Sequence, residues 1–97
     1  MVEVTIRHEE RGDRGRYVAT VAGSDHTGHL DWVARGEGVR AATHTLVPPA
    51  IGGQGVAAKL VEALVADARA QSFRIDPRCS YVEALFRRHK DWADLRA

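Results

Sequence analysis

HTLVPPAIGGQGVAAKLV, residues 44–61, contains a change of period that decides the fold. Up to Val47 the side chains alternate in a period of two, which is a strand pattern. Pro48-Pro49 stops it, because proline cannot donate to a sheet ladder. Gly52-Gly53-Gln54-Gly55 follows, and then Val56, Leu60, Leu64 and Ala68 recur every four residues. Ala57, Val61 and Val65 join that stripe, while Lys59, Glu62, Asp67 and Arg69 fill much of the rest. The spacing predicts an amphipathic helix of roughly four turns.

Upstream, the period stays at two. Val2, Val4, Ile6 and His8 alternate with Glu3, Thr5 and Arg7, a strand with one wet face. Glu10 to Gly15 is turn chemistry, so Arg11-Gly12-Asp13 reads as a polar hairpin tip rather than an adhesion motif. Tyr17, Ala19 and Val21 mark a second strand, and Leu30, Trp32 and Ala34 a third. Val39 to Val47 is the fourth, with Val39, Ala41, Thr43, Thr45 and Val47 expected on one face. Arg40, Ala42, His44 and Leu46 are expected on the other. Glycine-bearing turns between consecutive strands imply an antiparallel meander.

Downstream, Phe73-Arg74-Ile75 predicts a short fifth strand ended by Asp76-Pro77. Ser80, with Glu83 three residues later, suggests a capping box at a second helix. Tyr81, Val82, Leu85, Phe86 and His89 form its apolar face, and Trp92 and Leu95 of the tail are expected to dock on the body. The order β-β-β-β-α-β-α is an α+β fold, a single domain over residues 1–97 with a mainly antiparallel five-stranded sheet.

Composition narrows the function. Fourteen Lys and Arg against thirteen Asp and Glu leave a net charge of +1, with no basic stripe of the kind a nucleic-acid binder shows. Cys79 is the single cysteine, which excludes an internal disulfide and fits a reducing compartment. No apolar run approaches the ~18–20 residues that span a bilayer, and the Met1-Val2-Glu3-Val4 start reads as a strand and not a signal peptide. A cytoplasmic protein is expected. His26 and His29 have metal-like spacing alone and read as loop or strand-face residues, so no metal is expected.

The glycine cluster carries the first chemistry. A strand end, glycines and a helix start make an anion site, since the first-turn amides lack intrahelical partners and the helix dipole favours negative charge. A plain loop is the alternative reading. A Walker loop is excluded, because Ala57-Ala58 precedes Lys59 and Leu60 follows it. Gly53-x-Gly55-x-x-Ala58, with Asp76 some way on, matches a dinucleotide fingerprint in letters. Four preceding antiparallel strands leave no parallel sheet for it. Cys79 just before a helix is placed for a lowered thiol pKa. It could act as a nucleophile, line a pocket or sit as a small buried apolar residue.

Three segments together carry a resemblance: His44 to Pro49, Gly53 to Val61, and Pro77-Arg78-Cys79-Ser80-Tyr81-Val82. They resemble the small single-domain GNAT-like N-acetyltransferases of the YjdJ type, over nearly the whole chain. The phosphate motif of that superfamily, Gln/Arg-x-x-Gly-x-Gly/Ala, falls on Gly55 and Ala57 at its fourth and sixth positions. Its first position falls on Gly52, where Arg or Gln is usual. The resemblance implies acetyl-CoA as ligand and a fourth and fifth strand that splay to admit the pantetheine arm. It puts the backbone of Leu46 and Val47 against the pantetheine and thioester, and Gly52, Gly53, Gln54, Gly55, Val56, Ala57 and Ala58 around the pyrophosphate.

The same resemblance places Cys79 near the acetyl group and His44 near the thioester, where a histidine suits amine deprotonation. A structural histidine bridging the splayed strands is the alternative for His44. Arg87 and Arg88 become candidates for the 3′-phosphate of coenzyme A, beside the plain reading of favourable charge at a helix C-terminus. The implied reaction is transfer of acetyl to an amine. A short chain whose first strand turns straight into the second leaves the acceptor side open. That suits a protein lysine or N-terminus, in a monomer or in a homodimer that completes the site. A coenzyme A-binding module without rapid transfer, acylated on Cys79, is the competing reading, and an interaction domain without ligand is the third.

Overall fold

The computed structural model describes residues 3–97. Val2, the first residue of the expected first strand, lies outside the described residues. Strand β1 (Val4–Arg11) turns at Gly12-Asp13 into β2 (Arg14–Val21), which is followed by β3 (Thr27–Ala34) and β4 (Val39–Leu46). Gly12 takes a φ of 58°, a conformation that hairpin turns ask of glycine. A 3₁₀ turn at Pro49–Ile51 leads to helix α1 (Val56–Gln71), then β5 (Arg74–Pro77), helix α2 (Ser80–Arg88) and a second 3₁₀ segment at Lys90–Leu95. The sheet order is β1-β2-β3-β4-β5. The first three pairings are antiparallel and β4–β5 is parallel, the helical crossover of α1 making that direction possible.

One face of the sheet is packed. Tyr17, Ala19, Leu30, Trp32 and Ala42 point to it and meet Leu60, Val61, Leu64 and Ala68 of α1 in one core. Val82, Leu85 and Phe86 of α2 and Trp92 and Leu95 of the tail join the same core, as the sequence predicts. Tyr81, expected on that apolar face, is exposed instead. The Tyr17 hydroxyl donates to Asp67 Oδ2 at 2.7 Å, pinning α1 to β2. His8 stacks on Tyr17 with ring centroids 4.2 Å apart and accepts from Trp32 Nε1 at 2.9 Å. The Trp32 indole runs across Gly15, where even a Cβ would lie 2.5 Å from it. Arg40 lies over both Trp32 and Phe73, its guanidinium carbon 4.0 and 4.2 Å from the two rings.

Two boundaries differ from the sequence reading, the end of β5 and the start of α2, while α1 agrees with it. β5 continues through Asp76 and Pro77, because the ladder demands no amide from a proline at a strand's end. α1 has 16 residues, the roughly four turns that the spacing predicts, with Ser72 in the left-handed region (φ 60°) closing it through an amide to Ala68 O. Cys79, not Ser80, is the N-cap of α2. Glu83 closes no capping box: its carboxylate is engaged by Arg87 and Arg96.

The expected alternation along β4 also fails, at one place. Ala42 pairs with Trp32 but His44 pairs with Asp31, so Thr43 is the extra residue of a β-bulge. Beyond a bulge the faces exchange. Thr45 therefore pairs with Leu30 on the packed side, while His44 and Leu46 join Ala41, Asp31 and His29 on the open side.

A cleft where two strands part

Strands β4 and β5 pair from Val39–Arg74 to Ala42–Pro77 and no further. Ala42 O takes two amides at the point of parting, Arg78 N–H at 3.0 Å and Cys79 N–H at 2.9 Å. β4 then continues for four residues, Thr43 to Leu46, with β3 on one side and, among the described residues, no strand on the other. Such an edge presents unpaired backbone donors and acceptors.

Cys79 stands in the mouth of this fork. Its Sγ is 3.4 Å from Thr45 Oγ1 across the gap. Burial alone would raise the thiol's pKa, but the Thr45 hydroxyl and the amides of Val82, Tyr81 and Thr45 together hold it below the ordinary value. Two of those amides belong to the first turn of α2, where donors have no helical partner. The arrangement can stabilise a thiolate or another anion-like atom at that point.

The loop beyond β4 is built for close approach. Gly53 and Gly55 take φ of 73° and 78°, which other residues resist, and a Cβ at either would meet nothing within 4 Å. Gly55 is the N-cap of α1, no side chain caps the helix, and no acidic residue occupies its first turn. The amides of Val56, Ala57 and Ala58 thus start a 16-residue helix with its positive end free. Ile51 and Val56 are fully buried and anchor the two ends of the loop, while Gly52, Gly53, Gln54 and Gly55 are exposed. Gly52 has an ordinary φ of −72°, and a Cβ there would stay 3.5 Å from its nearest neighbour. Gly28 of β3 lets this end close up: its Cβ would sit 3.2 Å from Leu46 O and 3.4 Å from Val56 Cγ1.

On the open face His44 lies beside His29, ring centroids 5.8 Å apart. His29 Nε2 is 3.8 Å from Asp31 Oδ2, and Arg16 donates to both Asp31 oxygens, at 2.7 and 3.3 Å. Burial, the Arg16 charge and His44 hold the His29 pKa below its ordinary value, against the pull of Asp31.

Leu46 ends β4 at the open mouth and Val47, expected as the strand's last residue, follows it outside the ladder; Leu46 and Tyr81 of α2 are the exposed large apolar residues among the described residues. The structure brings together Cys79, Thr45 and the free edge of β4. Arg87 and Arg88 stand apart from them, in the last turn of α2, about 12 Å along the helix from its start. Arg87 is held by Glu83 at 3.0 Å, and Arg88 lies near enough to Tyr81 to act on its hydroxyl.

Thr45 and Asp31 are residues here that the sequence reading does not single out, while His29 lies on a strand face as that reading expects. For Thr45 the missing information is the bulge, which no local propensity marks. For Asp31 it was visible, two residues from His29 on the same strand face. Among the described residues no group of three or more His, Cys, Asp or Glu is placed to hold a metal ion. No described helix is long and apolar enough to cross a membrane.

The sequence model of the GCN5-related N-acetyl-transferase family matches residues 16–95. No curated protein matches the chain.

Proposed function

Because the chain belongs to the GCN5-related N-acetyltransferase family, whose members are acyltransferases, we propose that it transfers an acetyl group from acetyl-CoA to an amine. The observation that carries this reading is the fork itself: a strand edge left unpaired from Thr43 to Leu46, leading into the free N-terminus of α1. The residues suit the ligand. An extended pantetheine arm has amide groups that match a strand edge, and a pyrophosphate matches free helix amides.

When bound, acetyl-CoA supplies an acetyl thioester, an acyl carbon already activated toward an amine. The amides of Gln54, Gly55, Val56, Ala57 and Ala58 would hold the pyrophosphate, with Gly52 and Gly53 letting the loop wrap it. The backbone of Leu46 and Val47 would pair with the pantetheine. Backbone amides left free on the edge of β4 beyond the parting would steady the carbonyl oxygen as it gains charge. His44, on the open face of the same strand, would take the proton of the acceptor amine. Arg87 and Arg88 remain candidates for the 3′-phosphate, Arg88 with its charge free of any ion pair among the described residues.

A second reading is favoured by one observation, the four donors around the Cys79 sulfur. In it the thiolate attacks the acyl carbon, the coenzyme leaves as its thiol, and the protein holds the acyl group on Cys79 without rapid transfer.

Calorimetric titration with acetyl-CoA and free coenzyme A, followed by an amine panel, tests both. Micromolar binding with transfer to an amine supports the first reading. Binding with a stable acetyl mass on Cys79 and no turnover supports the second. A folded protein that binds neither ligand overturns both.

A further inference from the structure

The open face of the sheet carries a hollow of about 860 Å³ at the β1–β2 hairpin end, and its floor includes Arg16, Asp31, Val33 and Thr43. We propose that this hollow is the acceptor site, and that it selects a peptide whose reacting amine has an acidic side chain three or four residues away. The proposal rests on the acetyltransferase reading and names the substrate class for that same site.

The position of the hollow follows from the bulge. Thr43 lines it, and the next residue, His44, points to the same open face as Asp31, its partner in register. An acceptor lying in the hollow reaches the parting of β4 and β5 from the face opposite Cys79, which approaches from the packed side through Thr45.

The charge of the hollow follows from which groups are already paired. Glu9 takes Arg7 at 3.0 Å, Glu10 takes Arg40 at 3.6 Å, and Asp31 takes Arg16 at 2.7 Å. Arg11 and Arg14, which face each other across the hairpin and line the hollow, have no carboxylate within 4 Å among the described residues. Asp13, in the turn between them, does not line it. Two free guanidiniums at one end are a fork for a carboxylate.

Spacing decides what kind of amine fits. Arg14 on β2 pairs with Val33 and His44 on β4 pairs with Asp31, so the two stand two strands apart and two residues along, a separation of about 12 Å between backbones. The amine and carboxylate of a free amino acid are too close to reach both ends. An extended peptide with an acidic residue three or four positions from its amine spans them.

The test uses three N-terminally blocked peptides of one length, with a single lysine and, three residues away, Glu, Gln or Arg. Transfer and calorimetric binding are measured on the wild type and on Arg11→Gln/Arg14→Gln, whose fold is checked by circular dichroism. The expected result is a kcat/KM about tenfold higher for the Glu peptide than for the Gln peptide, the worth of one charge-assisted contact. The double variant should lose that preference while keeping its rate on the Gln peptide and its affinity for acetyl-CoA. Equal rates on the Glu and Gln peptides, or a preference that survives in the double variant, would overturn the inference and leave the acetyltransferase reading intact. Selective binding of the Glu peptide with no transfer to any amine would support the hollow as a peptide site and overturn the catalytic reading instead.

Discussion

The two halves of β4 make an instructive pair. From Val39 to Ala42 the strand has neighbours on both sides, and Ala41 and Ala42 are fully buried. From Thr43 to Leu46 it has one neighbour, and three of its four side chains are exposed. The first half is scaffold, where every backbone group is spent on the ladder. The second half keeps its groups for something else, and the cysteine, the bulge and the glycine loop all gather there. Stability and chemistry are thus divided within one strand of eight residues.

The sharpest way to break the comparison is to damage the scaffold half. Gly15→Ala drives a Cβ into the Trp32 indole, which pairs with Ala42, and should cost about 2–3 kcal/mol of stability by chemical denaturation. A neutral result would mean that the packed face yields more easily than its contacts imply. On the other half, Gly55→Val forces a branched side chain into a left-handed position, a strain of roughly 1–3 kcal/mol. Calorimetry should show acetyl-CoA affinity falling about tenfold or more, beyond what the melting curve accounts for. Retained affinity would remove the loop from the anion site.

A milder change separates reactivity from folding. Thr45→Val keeps the shape of the side chain and removes the hydroxyl that faces Cys79. Stability should move by less than about 1 kcal/mol. The pH midpoint for alkylation of Cys79 by iodoacetamide should rise, because a donor to the thiolate is lost. An unchanged midpoint would assign the effect to the α2 amides alone.

The smallest expected effect concerns the open face. The folded pKa of His29 is lowered, so the unfolded chain binds the proton first as pH falls through about 6.5. Stability from this residue is intact above that pH and declines below it. His29→Gln should flatten the acid limb of a denaturation series between pH 7 and 5, and an unaltered limb would move the cause elsewhere.

The element order was legible because period is local. Alternation to Val47, the double proline and the four-residue stripe from Val56 are each contained in a short window. The parallel sense of β4 and β5 was not, since it depends on where α1 delivers the chain. The site divided along the same line. Gly55 and the free amides of α1 could be read from a strand end followed by a helix start. Thr45 could not, because a single inserted residue at Thr43 reverses which side chains share a face. The capping box failed for a related reason: Glu83 has a distant partner in Arg96, and a long-range ion pair leaves no trace in local spacing.

The parallel pairing of β4 with β5 has a consequence for the order of assembly. The meander from β1 to β4 closes only short turns, whereas β5 is separated from β4 by the whole of α1, which crosses the sheet between them. Long closures come late in folding, because their entropy must be met before their contacts repay it. The fork that holds Cys79 therefore depends on the longest closure in the sheet, the one whose entropy is costliest to meet.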